Sequence, residues 1–271
     1  QNGHGIYDAI QISDRQGLHI IEIQVLKWYH SVMSGLVISQ MRKAIHDYDM
    51  IQDEDTIAVG LSGGKDSLAL LYGLSKIRGH IEQSFDIKAI TLKLSEENPD
   101  TDYLKKFCDN IDVELVVKQT DIEQIVFEER KEKSPCSLCA NLRRGMLNDT
   151  AKTLGCNKVA LGHNKDDAIE TFILCLQYEG RLHTFAPVTY LSRKDITVIR
   201  PLIYSFEQDI TAFNESAGIT PVKTLCPAAG NTHRQRIKEY IENESSINPN
   251  FKYNLFRSFT HANISGWKEV L

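Results

Sequence analysis

The chain has 271 residues, 42% of them apolar, and a formal net charge of −5. That length and apolar content suit one α/β domain with extensions and a sizeable core, and exclude a scaffold that depends on disulfides. The acidic balance argues against a generic nucleic-acid binder, although a local basic patch can still dock RNA, because phosphate contacts depend on local field.

No apolar run approaches the ~20 residues a bilayer crossing needs. Gln1-Asn2-Gly3-His4-Gly5 is neither a signal peptide nor a start at Met. The expectation is a trimmed, soluble, cytoplasmic chain with no membrane partner.

Residues 18–50 read as helical. Ile20, Ile21, Ile23, Leu26, Val32, Leu36 and Ile38 recur at three- and four-residue spacings, with a break at Gly35, and Met41, Ala44, Ile45 and Tyr48 continue one face. Thr56 to Leu61 is an apolar run that reads as a buried parallel strand, and Leu68, Leu70, Leu71, Leu74 and Ile77 mark a helix face. Between them lies Ser62-Gly63-Gly64-Lys65-Asp66-Ser67. Unpaired N–H groups and the helix dipole make such a junction an anion site. Gly63 and Gly64 admit close backbone approach, and Lys65 adds a positive charge. Asp66 after the lysine departs from the Walker A pattern and suits a magnesium ligand or orienting group.

Alternation continues. Strands are expected at 87–92, 113–117, 158–161 and 197–199, and helices at 102–110, 121–129, 140–154, 162–177 and 206–216. A charged loop, Arg130 to Ser134, precedes Cys136-Ser-Leu-Cys139, which enters the helix from Ala140. The tail from Glu242 is Asn/Ser-rich and then aromatic at Phe251, Tyr253, Phe256 and Phe259, and is expected to pack back. Repeated strand–helix units predict a Rossmann-like, doubly wound, mainly parallel sheet of five or six strands. The expected division is a helical extension (1–50), a nucleotide-binding domain (51–240) and a C-terminal extension (241–271).

Of six cysteines, Cys108 and Cys175 fall on apolar helix faces and Cys156 in a helix-end turn, which suits burial. Cys136 and Cys139 form a C-x-x-C pair at a helix N-terminus, which favours thiolates. Cys226 stands in a turn between Pro221 and Pro227. Three thiolates suit a [4Fe–4S] cluster with one open iron. Zinc completed by His163 or His233, or a redox pair with Cys226 idle, are the other readings.

Ser62–Ser67, Pro135-Cys-Ser-Leu-Cys-Ala-Asn-Leu-Arg-Arg-Gly145 and Leu161-Gly-His-Asn-Lys-Asp-Asp-Ala168 occur in that order. Together they resemble the tRNA 2-thiocytidine synthetase family of PP-loop ATP-pyrophosphatases, over about residues 36–240. One departure is Ala229, where that family often shows a further cysteine after Cys226.

The resemblance implies an adenine-nucleotide α-hydrolase-like fold and ATP-dependent replacement of oxygen by sulfur at C2 of an unpaired pyrimidine, cytidine in an anticodon loop. ATP would be split to AMP and pyrophosphate. Ser62, Gly63, Gly64, Lys65 and Ser67 would hold its phosphates and Asp66 Mg²⁺, with Gly162 and His163 beside them. Cys136, Cys139 and Cys226 would hold a [4Fe–4S] cluster. Arg143, one helical turn after Cys139, would steady charge on the activated oxygen, and Asp166 or Asp167 would bind metal or accept a proton. Arg144, Arg234 and Arg236 would meet tRNA. A cysteine desulfurase or inorganic sulfide would donate sulfur, and a homodimer is compatible. The competing reading is an ATP-pyrophosphatase acting on a small molecule, with zinc or a cluster as support.

Overall fold

The computed structural model describes residues 35–94, 101–130, 135–222 and 233–268. Residues 18–34, the loop 131–134 and Cys226 lie outside these ranges. Six strands form one sheet, in the order β3-β2-β1-β4-β6-β5. They are β1 (Asp55–Gly60), β2 (Phe85–Lys93), β3 (Glu114–Gln119), β4 (Lys158–Ala160), β5 (Val188–Leu191) and β6 (Ile196–Ile199). All neighbours run parallel except β5, which pairs antiparallel with β6 at one edge.

The doubly wound expectation therefore holds. The added element is the β5–β6 hairpin. Val188–Leu191 mixes Thr and Tyr with apolar residues, and Tyr190 is 61% exposed, so this short edge strand carries no continuous apolar signal.

The two faces of the sheet are covered unequally. One buries the main core against α1 (residues 35–47), α2 (Lys65–Ile77), α3 (Thr101–Asp109), α5 (Lys165–Leu174), α6 (Glu207–Ser216), α7 (His233–Ile247) and α8 (Phe251–His261). Leu68, Leu70, Leu71 and Leu74 of α2 are fully buried, because this helix lies between sheet and outer helices. The aromatic tail does pack back: Phe259 and Trp267 are buried, ring centres 5.0 Å apart, and Phe259 meets Phe172 of α5.

The second face buries a smaller cluster, including Ile90, Val159 and Val198, under Leu147 and Ala151 of α4 (Pro135–Thr153). Cys156 joins this cluster, and Cys108 and Cys175 are buried as expected. At the end of β1 away from the phosphate loop, buried Asp55 pairs with Lys158 at 2.6 Å and accepts from Asn157 and the Gln52 N–H, so this internal charge is compensated.

Two helical expectations shift. Helix α4 begins at Pro135, so Cys136 and Cys139 sit in its first turn rather than in a loop before it. Proline suits that position because its missing N–H is one the helix would leave unpaired anyway. The segment expected as a helix at 121–129 is helical, but takes π geometry over Gln124–Arg130.

Candidate functional site

Strands β1 and β4 are neighbours, yet β1 continues to β2 on one side and β4 to β6 on the other. Open α/β sheets bind ligands where the strand order reverses, at the carboxyl ends. Both glycine-bearing turns, Ser62–Gly64 after β1 and Gly162–Asn164 after β4, are at this point.

The first turn is tied internally. The Ser67 hydroxyl donates to the Gly64 carbonyl at 2.9 Å and accepts from the Ser62 N–H at 3.2 Å. The two serine hydroxyls lie 3.1 Å apart. Gly63 has a φ of +80°, which disfavours any side chain there, and its carbonyl accepts from Val222 at 2.9 Å. Gly64 precedes α2 with no side-chain cap, leaving the helix N-terminus to an anion.

Gly162 is needed for a different reason. A β-carbon there would lie 3.0 Å from the Asp66 carbonyl carbon and 3.1 Å from the Ser67 nitrogen. The turn after β4 therefore packs directly on the phosphate loop.

These turns floor a cleft of about 370 Å³. Leu61, Ile90, Leu92, Leu94, Leu147 and Leu161 make an apolar wall, and Ser62, Gly64, Asp66 and Ser67 a polar end. Ala140, Arg143 and Arg144 of α4, with Gly162 and His163, close it. Cys136 and Cys139 stand seven and four residues before the cleft-lining Arg143, on the same face of α4, which puts the pair of thiols next to the cleft. Cys136 is exposed and Cys139 partly buried. Their i, i+3 spacing in one helical turn puts both sulfurs on one face, as a shared ligand requires. Among the described residues no three His, Cys, Asp or Glu side chains converge as a metal site. The donor set shown is thus two thiols, with Cys226 outside the described residues.

His163 has its ring centre 4.8 Å from that of Phe185, and its Nδ1 is buried without a partner among the described residues. Burial, reinforced by the positive charges of Arg200, Arg234 and Arg144, pushes its pKa down to about 3, so the ring is neutral at physiological pH.

A charged ring adjoins the phosphate loop. Lys65 reaches Asp66 at 2.8 Å and Glu207 at 3.1 Å. Burial works against the Lys65 charge, but Asp66 and Glu207 outweigh it and raise its pKa. Asn164 donates to Asp66 at 3.1 Å. Asn164 and Asp167 also form a reciprocal capping box at the start of α5. Arg234 of α7 bridges Asp167 at 3.1 Å and Glu170 at 2.7 Å. Burial raises both carboxylates above the usual range, with Arg234 partly offsetting it.

The expected site residues thus divide. Ser62, Gly64, Asp66, Ser67, Arg143, Arg144, Gly162 and His163 line one cleft. Lys65, Asp66, Asp166, Asp167 and Arg234 line an adjoining charged hollow. Asp166 is buried and engaged: it accepts from the Glu207 N–H at 2.6 Å and from Lys252 at 2.7 Å, tying α5 to α6 and α8. Arg234 is committed to two carboxylates, whereas Arg236 is exposed on the same helix.

The sequence reading missed Asn164, Glu170, Glu207 and the apolar wall. Asn164 was legible as an N-cap before Lys165-Asp166-Asp167. Glu207 belongs to an element distant in sequence and carries no motif.

Comparison with known proteins is consistent with this geometry. A PP-loop domain family model matches residues 34–257. A tRNA-cytidine(32) 2-sulfurtransferase of Ralstonia pickettii is 36% identical over 226 residues, covering 83% of this chain and 72% of the relative. One from Dechloromonas aromatica is 38% identical over 202 residues, covering 74% and 70%. Among solved structures, a U34-tRNA thiolase from Methanococcus maripaludis with its [4Fe-4S] cluster superposes with a TM-score of 0.68 at 24% identity. The match covers 83% of this chain and 77% of the thiolase, and supports the shared fold.

Proposed function

The chain belongs to the PP-loop domain family, alongside the tRNA-cytidine(32) 2-sulfurtransferases; on that premise we propose that it replaces the C2 oxygen of a tRNA cytidine with sulfur at the expense of ATP. The observation that carries the reading is the single cleft. It joins an uncapped, glycine-rich helix N-terminus, an apolar wall and the arginines that follow the C-x-x-C pair.

A C2 carbonyl oxygen is a poor leaving group. Transfer of AMP onto it, with release of pyrophosphate, turns it into a phosphate ester that can depart. The apolar wall of Leu61, Ile90, Leu92, Leu94 and Leu147 suits an adenine ring, and a cleft of about 370 Å³ lies within the usual range for ligand sites. Ser62, Gly63, Gly64 and Ser67 hold the pyrophosphate portion of ATP at the N-terminus of α2, and Lys65 contributes its charge. Asp66 is the proposed Mg²⁺ carboxylate. In the structure it is held by Lys65 and Asn164, so metal binding exchanges one cation for another and frees Lys65 for phosphate.

Arg143 lines the cleft and steadies charge developing on the activated oxygen. Asp167, whose burial raises its affinity for a proton, is the proposed proton acceptor, with Arg234 and the Asn164 N–H on its two oxygens; Asp166 ties helices together. Cys136 and Cys139, with Cys226, are the proposed ligands of a [4Fe–4S] cluster. Such a group, when bound, supplies the site from which sulfur is delivered. A cysteine desulfurase or free sulfide supplies the sulfur. No described helix is long and apolar enough to cross a membrane.

Incubation with unmodified tRNA, ATP, Mg²⁺ and sulfide under anaerobic conditions, followed by nucleoside mass spectrometry, tests this. The expected products are 2-thiocytidine, AMP and pyrophosphate. ADP and phosphate as products, or thiolation of a small molecule in place of tRNA, would overturn it.

A further inference from the structure

Arg200 belongs to none of the sequence motifs, yet it follows the last residue of β6, at the same sheet edge as the cleft. It is 8% exposed. One guanidinium nitrogen, Nη1, donates to the Ala186 carbonyl at 2.6 Å and to the Thr189 hydroxyl at 3.2 Å. The guanidinium carbon lies 5.0 Å from the centre of the Phe185 ring. Its Nε is buried and has no hydrogen-bond partner among the described residues.

No carboxylate among the described residues compensates this charge. The groups that perturb Arg200 are its burial and a second cation, Arg144. Buried charges are ordinarily paired, because desolvation costs several kcal/mol.

A second unpartnered nitrogen, His163 Nδ1, meets the other contact of the Phe185 ring. Arg144 is exposed and lines the cleft with His163. One corner of the site thus collects an exposed arginine, a neutral imidazole and a buried arginine, with two buried nitrogens lacking partners and no acid paired with either arginine among the described residues.

The position of this corner separates it from the ATP phosphates. Strands β1, β4 and β6 are successive neighbours, spaced about 4.8 Å apart. The end of β6 is therefore about 10 Å along the sheet edge from the phosphate loop that ends β1. An anion here is a second one.

We propose that Arg144, His163 and Arg200 form a binding site for one backbone phosphate of the substrate RNA, beside the nucleotide whose base enters the cleft. The inference rests on the tRNA-thiolation reading. A base that leaves its stack to reach the cleft carries its flanking phosphates to the cleft mouth. Arg144 meets the phosphate oxygens directly, since a guanidinium fork matches their geometry. In the tautomer with its proton on Nδ1, the neutral His163 ring donates to a phosphate oxygen without a charge to desolvate. Arg200 is a positioning residue: its positive field lies behind the other two.

The test measures tRNA affinity against salt concentration, and competition by cytidine, cytidine 3′- and 5′-monophosphate and inorganic phosphate. Arg144→Ala is expected to weaken tRNA binding roughly tenfold, the size of one charged hydrogen bond. It should also lower the salt slope by about 0.7, the contribution of one contact to a single strand, while ATP still binds. Arg200→Met should weaken tRNA binding in the same direction but change the salt slope less, since Arg200 meets no phosphate oxygen itself, and Arg200→Lys should recover part of the loss, which a purely structural role would not give; circular dichroism checks that both fold. A cytidine monophosphate should compete better than cytidine with the wild type, and lose that advantage in Arg144→Ala.

Unchanged affinity and salt slope in Arg144→Ala, or unchanged affinity in Arg200→Met, with a wild type that thiolates tRNA, would overturn the site. Inorganic phosphate competing as well as the nucleotides would overturn its assignment to RNA. A wild type that binds cytidine monophosphate at this corner but transfers no sulfur to tRNA would instead overturn the thiolation reading alone.

Discussion

A β-carbon on Gly162 would stand 3.0 Å from the carbonyl carbon of Asp66, so the turn after β4 rests on the first turn of α2 with no room for a methyl group. The obstacle is backbone, which cannot swing aside as a side-chain tip can. Gly162→Ala is therefore expected to destabilise the protein by about 1–3 kcal/mol, the range for overpacking. It should also weaken ATP binding by displacing the loop. Urea unfolding and calorimetric ATP titration measure the two effects, and an unchanged ATP affinity would show that the loop tolerates the shift.

Lys65 is shared between Asp66 and Glu207, and both acids hold its pKa above the ordinary lysine value. It remains charged throughout the neutral range. Lys65→Ala should slow pyrophosphate release from ATP by roughly a hundredfold or more, the scale of one lost electrostatic donor in a phosphoryl-transfer site. The fold should persist, since the side chain lies at the rim of a hollow. A pyrophosphate-release assay with a melting curve separates these outcomes.

Arg234→Glu is a poor probe of RNA docking, because Arg234 compensates Asp167 and Glu170. A third carboxylate there would leave buried acids without their cation. The expected cost is about 2 kcal/mol, less than for a fully buried pair because Arg234 is half exposed. Arg236→Glu, at an exposed position on the same helix, should leave the melting temperature nearly unchanged and steepen the loss of tRNA binding with salt. Equal melting temperatures for the two variants would contradict the bridging role of Arg234.

The same two carboxylates give a pH signature. Burial raises Asp167 and Glu170 above their ordinary values, so the folded chain holds protons more tightly than the unfolded one. Their contribution is most favourable below the ordinary carboxylate range and is lost as pH rises through the raised values. Glu170→Gln removes one such group. Urea midpoints should therefore fall less in this variant than in the wild type as pH rises from the ordinary carboxylate range towards neutrality, and parallel curves would refute the assignment.

Removal of either helical thiol tests the cluster. Anaerobically reconstituted Cys136→Ala and Cys139→Ala should each lose iron, sulfide and visible absorption. Cys108→Ala should keep them, since burial pushes that thiol up to about 12 and leaves it a core group. Iron retained in Cys139→Ala would show that the ligands lie elsewhere.

The alternation of strands and helices from β1 to α6 apart from β5, the phosphate loop and the buried state of Cys108, Cys156 and Cys175 were determined by the sequence alone, whereas the helices α7 and α8 were not read from it. Each depends on local pattern: an apolar run, a helical period, a pair of glycines at a strand–helix junction. The edge strand Val188–Leu191 was hidden, because an edge strand needs no continuous apolar signal. The fates of Asp166, Arg234 and Arg200 were decided only in three dimensions. These charged side chains became a tie between helices (Asp166), a bridge over two acids (Arg234) and a buried guanidinium with no carboxylate beside it among the described residues (Arg200), because long-range packing sets which groups face each charge and how much water each keeps.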